Sequence, residues 1–537
     1  MSKNSKNAPY NQIKDFTDLK DMIYKNAVEF SDKTQIQYER NGSYISIPFK
    51  KIREDIDALG TYFYSLGLNG GKRIALVGEN SYEWVITYFA AVLGANIIVP
   101  LDKELSPQEL ADLVKSGECD MVVYSPSKAA LLPLIEDMNL KTLCTDAFEQ
   151  VTRAGKEIIA SGNTEFIDKP MIIDDTCSII FTSGTTGTPK GVMLSQRNLL
   201  SDAKHSLENL SIPYGTVVVL PLNHTFGFMA GILCQLWVGS PVFINNSLKT
   251  ILRDIQTAKP GHISVVPLFL ESFYKNIWKN AQKQGKDKLL KKLISVSNGM
   301  RKAGIDMRRT LFKSVLSAFG GNLEMLICGG APIDDELMKG FDDFGIQVIN
   351  GYGITECSPI VCTNRACWVK YGTVGLPIPG VHIKIENPDE NNEGEIWVKG
   401  DIVMQGYYNN PEATAEVLKD GWFNTGDIGS VDSDGFLAIT GRKKNLIILD
   451  NGKNVSPEEL ETLIGRIENV NEVLVYEENA LITAEIYAED TNARGQIETD
   501  IKALNKTIAG YKQIRKIKFR SVEFEKTTTK KIKRSYK

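Results

Sequence analysis

Up to about residue 245, short apolar runs alternate with helical patterns, and this alternation constrains the fold more than any other feature. The runs RIALVG (73–78), NIIVPL (96–101) and DMVVYS (120–125) have the length and bulk of buried strands. Between them lie the amphipathic stretches YEWVITYFAAVLGA and SPQELADLVKSGE. The second opens with a capping box, Ser106 with Glu109, and has Pro107 at the first helical position. Strand, helix and strand in that order predict an α/β fold: a mostly parallel sheet covered by helices on both faces.

Further along, the pattern changes twice. Residues 286–319 form a long, basic stretch with Leu289, Leu290, Leu293 and Ile294 at helical spacing. After residue 372, HIKIENPDENNEGEIWVKG and GSVDSDGFLAIT read as hairpins. The last hundred or so residues predict a separate small α+β unit. There SPEELETLIGRI carries a second capping box, Ser456 with Glu459, and ENALITAEIYAED reads as strand. The boundary falls at GRKKN, dividing the chain into 1–441 and 442–537. No internal repeat interrupts this plan.

Hydrophobic content of 42% and charged content of 24% are those of an ordinary soluble globular protein. Eight scattered cysteines include Cys357, Cys362 and Cys367 at C-x4-C-x4-C, which matches no common zinc pattern. They read as buried, reduced thiols and predict a cytosolic protein. MSKNSKNAPY lacks the apolar core of a signal peptide, and the most apolar stretch, 217–238, is broken by Asn223, His224 and glycines. Charge is uneven. From Lys506 onward there are twelve Lys or Arg against two Glu, about +10, in a chain of net charge −4.

The strongest local signal for chemistry is CSIIFTSGTTGTPKGVMLS, 177–195. An apolar strand runs into a loop of Ser, Thr and Gly and then reaches Lys190. Small residues let backbone N–H groups approach phosphate oxygens, while hydroxyls and a lysine complete an anion cradle. It is not a Walker loop, because no G-K-[ST] follows. A flexible linker is the dull alternative, and it fits poorly with a strand directly before and Pro189-Lys190 directly after.

Taken with PLNHTFG (221–227), CGGAPI (328–333), GYGITECSP (351–359), GEIWVKG, GWFNTGDIG (421–429) and GRKKN, in that order, the chain resembles the AMP-forming acyl-adenylating enzymes. These include acyl-CoA synthetases, peptide-synthetase adenylation domains and beetle luciferases. The resemblance spans nearly the whole chain and is nearest to bacterial long-chain fatty-acid–CoA ligases. It implies a large N-terminal domain of helix-flanked β-sheets with a small β-barrel-like subdomain, and a small mobile α+β C-terminal domain.

The same resemblance implies roles for individual residues. Thr182, Ser183, Gly184, Thr185, Thr186 and Lys190 would hold the β- and γ-phosphates of ATP. Gly330, Ala331 and Pro332 would line the adenine pocket, with Tyr352 stacked on the base. Thr355 would touch the α-phosphate, and Glu356 with Thr182 would ligate Mg²⁺. Asp427 would accept bonds from the ribose hydroxyls, and Arg442 would reach the ribose from the domain boundary. His224 would stand near the reacting carboxylate. Lys444 would be the hinge, and Gly452 would lie on the loop that swings in for the thiol step.

At the chain's end, 525–532 resembles the family's P-K-T-x-x-G-K-[IV], so Lys531 becomes the adenylation lysine. Glu525 stands for the usual Pro and Lys530 for the usual Gly. Lys533, Arg534 and Lys537 read as solvated or as steering ATP and coenzyme A. Phe226, Phe228, Met229 and Ile232 could line an acyl tunnel or be plain core. The implied reaction joins a fatty acid to coenzyme A at the expense of ATP. A carrier-protein thiol remains open as acceptor, as does a non-catalytic binding descendant. A nucleic-acid partner is disfavoured, for no recognition module is present. The implied location is the cytoplasm, with peripheral contact at the inner membrane face left open.

Overall fold

The computed structural model describes residues 8–182, 189–245, 247–449, 454–526 and 532–534. The three apolar runs form the strands Arg73–Val77, Ile97–Leu101 and Met121–Tyr124. They pair in parallel inside a seven-stranded sheet. Thr176–Thr182 continues the parallel set next to Ile97–Leu101. Lys190–Ser195 then pairs antiparallel with it, so the Ser/Thr/Gly loop joins two antiparallel strands. Gly406–Tyr407 closes this edge, also antiparallel.

A nine-stranded sheet runs from Leu376–Pro377 to Ser43–Pro48 and contains Gln347–Gly353, the strand that delivers the GYGITE loop. The helix Tyr82–Leu93, read as amphipathic, is instead buried along all twelve residues. A helix buried on every side belongs inside a core, and its polar signals at the start are the Ser81 cap and Glu83, which pairs with Arg40. The Ser106–Glu109 capping box forms in both directions. The 286–319 stretch is three helices, Asp287–Lys302, Arg308–Leu311 and Lys313–Ala318.

The expected hairpins lie in a five-stranded antiparallel sheet, with His382–Glu386 on Gly394–Lys399 and Trp422–Val431 on Leu437–Arg442. Beyond it, Glu472–Glu478, Leu481–Tyr487 and Lys516–Arg520 make a three-stranded sheet against helices Pro457–Gly465 and Arg494–Leu504. This smaller C-terminal domain has its own core, including Leu460, Ile464, Val475, Ile482, Ile497 and Ile501. Ile497 and Ile501 sit one turn apart, and truncating either to Ala would cost about 2–5 kcal/mol.

The second capping box does not form. Ser456 precedes the helix, but its hydroxyl donates to Glu458 at 3.0 Å and makes no side-chain cap. Six cysteines are buried, while Cys144 and Cys367 are half-buried, and all eight are free thiols. Among the described residues no helix is long and apolar enough to cross a membrane.

Candidate functional site

Strand ends gather the predicted residues. Gln347–Gly353 carries Tyr352 to its end, where the phenol donates to Asp427 Oδ2 at 2.6 Å. Asp427 sits directly opposite Arg442 in the antiparallel pair, and Arg442 Nε lies 2.9 Å from its Oδ1. Asp427 is 3% exposed, so its charge is balanced by a guanidinium and a phenol rather than by water. Burial, and then the Asp427 carboxylate, push the Tyr352 phenol well above its ordinary value. It therefore remains a donor at any physiological pH.

Four residues on, Glu356 Oε1 accepts a 3.0 Å bond from the Tyr407 hydroxyl. Lys190 Nζ lies over the Tyr407 ring, 4.9 Å from its centroid. Across the strand pair Lys190 is opposite Thr182, whose hydroxyl donates to the Lys190 carbonyl at 3.4 Å. Tyr407 thus joins a carboxylate and an ammonium that lie far apart in the sequence. The loop holding Glu356 is fixed by its main chain: Met404 N–H donates to Glu356 O at 2.8 Å, and Ser358 Oγ to Ile402 O at 2.7 Å. Gly353 is required here by close approach, because a Cβ would lie 1.9 Å from Pro359 O.

A third group forms around His224. Its Nε2 lies 3.8 Å from Asp102 Oδ2, at the carboxyl end of the Ile97–Leu101 strand. Thr225 and Thr355 place their hydroxyls 3.5 Å apart, which brings this group to the GYGITE loop. Asn80 holds the 220–222 backbone from both sides, donating to Leu220 O at 2.9 Å and accepting from Leu222 N–H at 3.0 Å. Gly330, Ala331 and Pro332 follow the strand Met325–Cys328, with Gly330 at φ +85°, a left-handed conformation that suits glycine.

Lys444 lies in the short turn Lys443–Asn445 that leads out of the five-stranded sheet. Partial desolvation, and then the neighbouring Arg442 guanidinium, hold its ammonium below the ordinary lysine value. One contact ties the turn to the sheet before it, and another links the regions on either side of it. Lys443 pairs with Glu395 at 2.5 Å, and Arg466 donates twice to Asp334 at 2.9 and 3.0 Å.

Ser183, Gly184, Thr185, Thr186, Gly452, Lys530 and Lys531 lie outside the described residues. The residues flanking 527–531 are paired: Lys526 bridges Ile532 antiparallel, and Lys533 N–H donates to Glu525 O at 2.7 Å.

One reading needs correction, and one open alternative narrows. Arg534 is not solvated: it pairs with Glu461, and with Glu458 at 3.4 Å. Phe228, Met229 and Ile232 are plain core, 4%, 1% and 1% exposed, with the Phe228 ring 4.0 Å from that of Tyr88. Phe226 is half-buried, with its ring 3.6 Å from where a Cβ on Gly329 would lie.

Tyr407 and Asp102 escaped the sequence reading. Asp102 directly follows an apolar strand run, the end at which open α/β sheets bind ligands, so a signal existed. Tyr407 had none, because its place comes from pairing with Val192 more than two hundred residues upstream.

An antiparallel strand pair closes the parallel sheet, and the buried Asp427–Arg442 pair stands at the strand ends; the class of enzyme that carries such a site is given by its relatives. The AMP-binding enzyme family matches residues 23–408, and the chain belongs to that family. It is 28% identical to the long-chain-fatty-acid–CoA ligase FadD15 of Mycobacterium bovis, over 94% of this chain and 93% of that protein. It is also 28% identical to a chloroplastic long-chain-fatty-acid–[acyl-carrier-protein] ligase, AEE15 of Arabidopsis thaliana, over 85% of this chain and 74% of that protein. Its fold matches a crystal structure of the anthranilate CoA ligase AuaEII in complex with anthranoyl-AMP. There the TM-score is 0.78 at 20% identity, covering 98% of this chain and 96% of that one.

Proposed function

We propose that this enzyme activates a long-chain fatty acid as its acyl adenylate and then transfers the acyl group to coenzyme A. The observation that carries the reading is the spacing of two constellations on one loop. Tyr352 reaches the Asp427–Arg442 clamp, and Glu356, four residues later, reaches Tyr407 and Lys190. An acidic clamp suited to a diol and a lysine suited to phosphates are thereby tied to residues four apart on one loop.

In the first step a carboxylate oxygen bonds to the α-phosphorus of ATP while the bond to the β-phosphate breaks and diphosphate leaves. In the second, a thiol sulfur bonds to the acyl carbon, its proton is lost, and AMP leaves. Both reactants of the first step are anionic, so the residues' task is to place positive charge where negative charge accumulates. Lys190 with Thr182, Ser183, Gly184, Thr185 and Thr186 would hold the β- and γ-phosphates. Thr355 would meet the α-phosphate, and Lys531 would neutralise the attacking pair. Asp427 and Arg442 would orient the ribose, with Gly330, Ala331, Pro332 and Tyr352 against adenine. His224, oriented by Asp102, would stand by the fatty carboxylate.

Glu356 and Thr182 are oxygen donors of the kind Mg²⁺ prefers, and the ion would supply charge neutralisation on the phosphates. The unit 442–537 would turn about Lys444 between the steps, bringing the Gly452 loop in place of Lys531. A carrier-protein thiol is the second reading, favoured by the plant relative described above. We place the reaction in the cytoplasm, with the acyl substrate reached at a membrane face.

Acid-dependent exchange of diphosphate into ATP, measured across a chain-length series, tests the first step. Exchange should rise with chain length into the long-chain range, and its absence with every acid would sink the proposal. Supplying coenzyme A or a phosphopantetheinyl carrier to the preformed adenylate then decides the acceptor.

A further inference from the structure

We propose that the helices Pro267–Lys283 and Asp287–Lys302, with the turn after them, form a docking surface for anionic membrane lipid. The 39 residues from Lys275 to Lys313 hold twelve Lys or Arg against two Asp, about +10 in a chain of net charge −4. Arg301 and Arg308 are consumed internally by Asp306 and Asp342. Lys279, Lys283, Lys286, Lys288, Lys292 and Lys302 make no ion pair among the described residues.

Large apolar side chains stand among these lysines. Leu289 is 53% exposed, Val296 48% and Ile305 51%. Leu289 and Val296 are two helical turns apart on one face, with Lys292 between them. Of the sixteen residues in that helix only Ser297 is buried, so its outer face is presented whole. Leu290, Leu293 and Ile294 hold the inner face to the core, and Lys291 caps the seam by lying 5.9 Å from the Trp278 ring.

Charge alone would serve any polyanion. Exposed leucine, valine and isoleucine interleaved with lysine are what an interfacial helix uses: apolar side chains enter the acyl boundary while ammonium groups meet phosphates. A soluble polyanion gives Leu289 and Val296 nothing to bury against. The membrane is therefore the occupant the residues favour. The use of the surface rests on the fatty-acyl reading above, since a long-chain acid partitions into bilayers. The surface itself rests only on these residues.

The test is co-sedimentation of the full chain with phosphatidylcholine vesicles, with and without about one part in three phosphatidylglycerol. The chain should bind the anionic vesicles alone, and salt should weaken binding. Lys288→Glu/Lys291→Glu/Lys292→Glu should lower affinity about a hundredfold or more. Leu289→Ser/Val296→Ser should lower it about tenfold at unchanged charge. Diphosphate exchange with a soluble short acid, run in parallel without vesicles, should be equal in all three proteins. It separates failure of this surface from failure of the ligase reading. Equal binding to neutral vesicles, or no effect of the lysine reversals, overturns the proposal. So does heparin or an acidic protein binding as well as the vesicles with the Leu289/Val296 variant unaffected, which would assign the patch to a soluble polyanion.

Discussion

Residues 275–313 and 506–537 each carry about +10, yet the tertiary structure disposes of the two charges in opposite ways. In the C-terminal run six of the twelve cations are met by acids of the same small domain. Lys512 pairs with Glu459, Lys516 and Lys518 with Glu478, Arg520 with Glu485, Lys526 with Glu472, and Arg534 with Glu461 and Glu458. In the helical run most lysines point outward with no acid in reach among the described residues. The difference teaches that a charge run names a partner only after internal pairing is subtracted. Half of the run that drew attention in the sequence is paired internally. The one read as an ordinary basic helix is the surface left free for another molecule.

The largest effect that could break this comparison lies at Lys531. Its charge is proposed to act on reacting atoms, so Lys531→Ala should cut diphosphate exchange by about a hundredfold or more. Exchange at full rate in that variant would return the tail to a mere charge run.

Next comes Arg534→Met. Glu461 is held at about 7 by burial, against the pull of Arg534. A carboxyl raised above its unfolded value binds more protons in the native state, so its contribution to stability falls as pH rises from the unfolded carboxylate range through about 7. Removing Arg534 should cost about 3 kcal/mol at pH well above 7 and markedly less at low pH. Denaturant titrations in both regimes check this, and an equal loss in each would contradict a charge-based role.

A smaller effect is expected from Lys516→Gln/Lys518→Gln. These pairs stand at the solvent surface, so the loss should be small and vanish at high salt, as denaturant titrations at low and high ionic strength would check. The smallest is the Lys288→Glu/Lys291→Glu/Lys292→Glu variant assayed for exchange in solution, where no change is expected. A rate loss there would move the helical run into the catalytic machinery.

Much of the fold was legible because short-range physics wrote it. The strands 73–77, 97–101 and 121–124 were fixed by continuous apolar runs, and the helix Pro107–Ser116 by its proline and capping box. Tyr82–Leu93 was legible as a helix but not as a central one, since burial on every side depends on what packs around it. Ser456 shows the limit at a single cap. Its sequence fits the box, yet its hydroxyl donates to Glu458 and makes no side-chain cap.

The order of motifs yielded, from the sequence alone, the residues expected to meet ATP and placed Tyr352 and Asp427 on strands. It could not determine that Tyr407 bridges Glu356 and Lys190, that Arg442 and Tyr352 share one carboxylate, or that Phe228 is core. Those facts are pairings between segments far apart along the chain. Local propensity and periodicity act over a few residues, whereas register between distant strands is settled only when the cores close. Composition likewise set the net charge of both basic runs, but which ammonium groups found a carboxylate was decided by the packing of the small domain against its own acids.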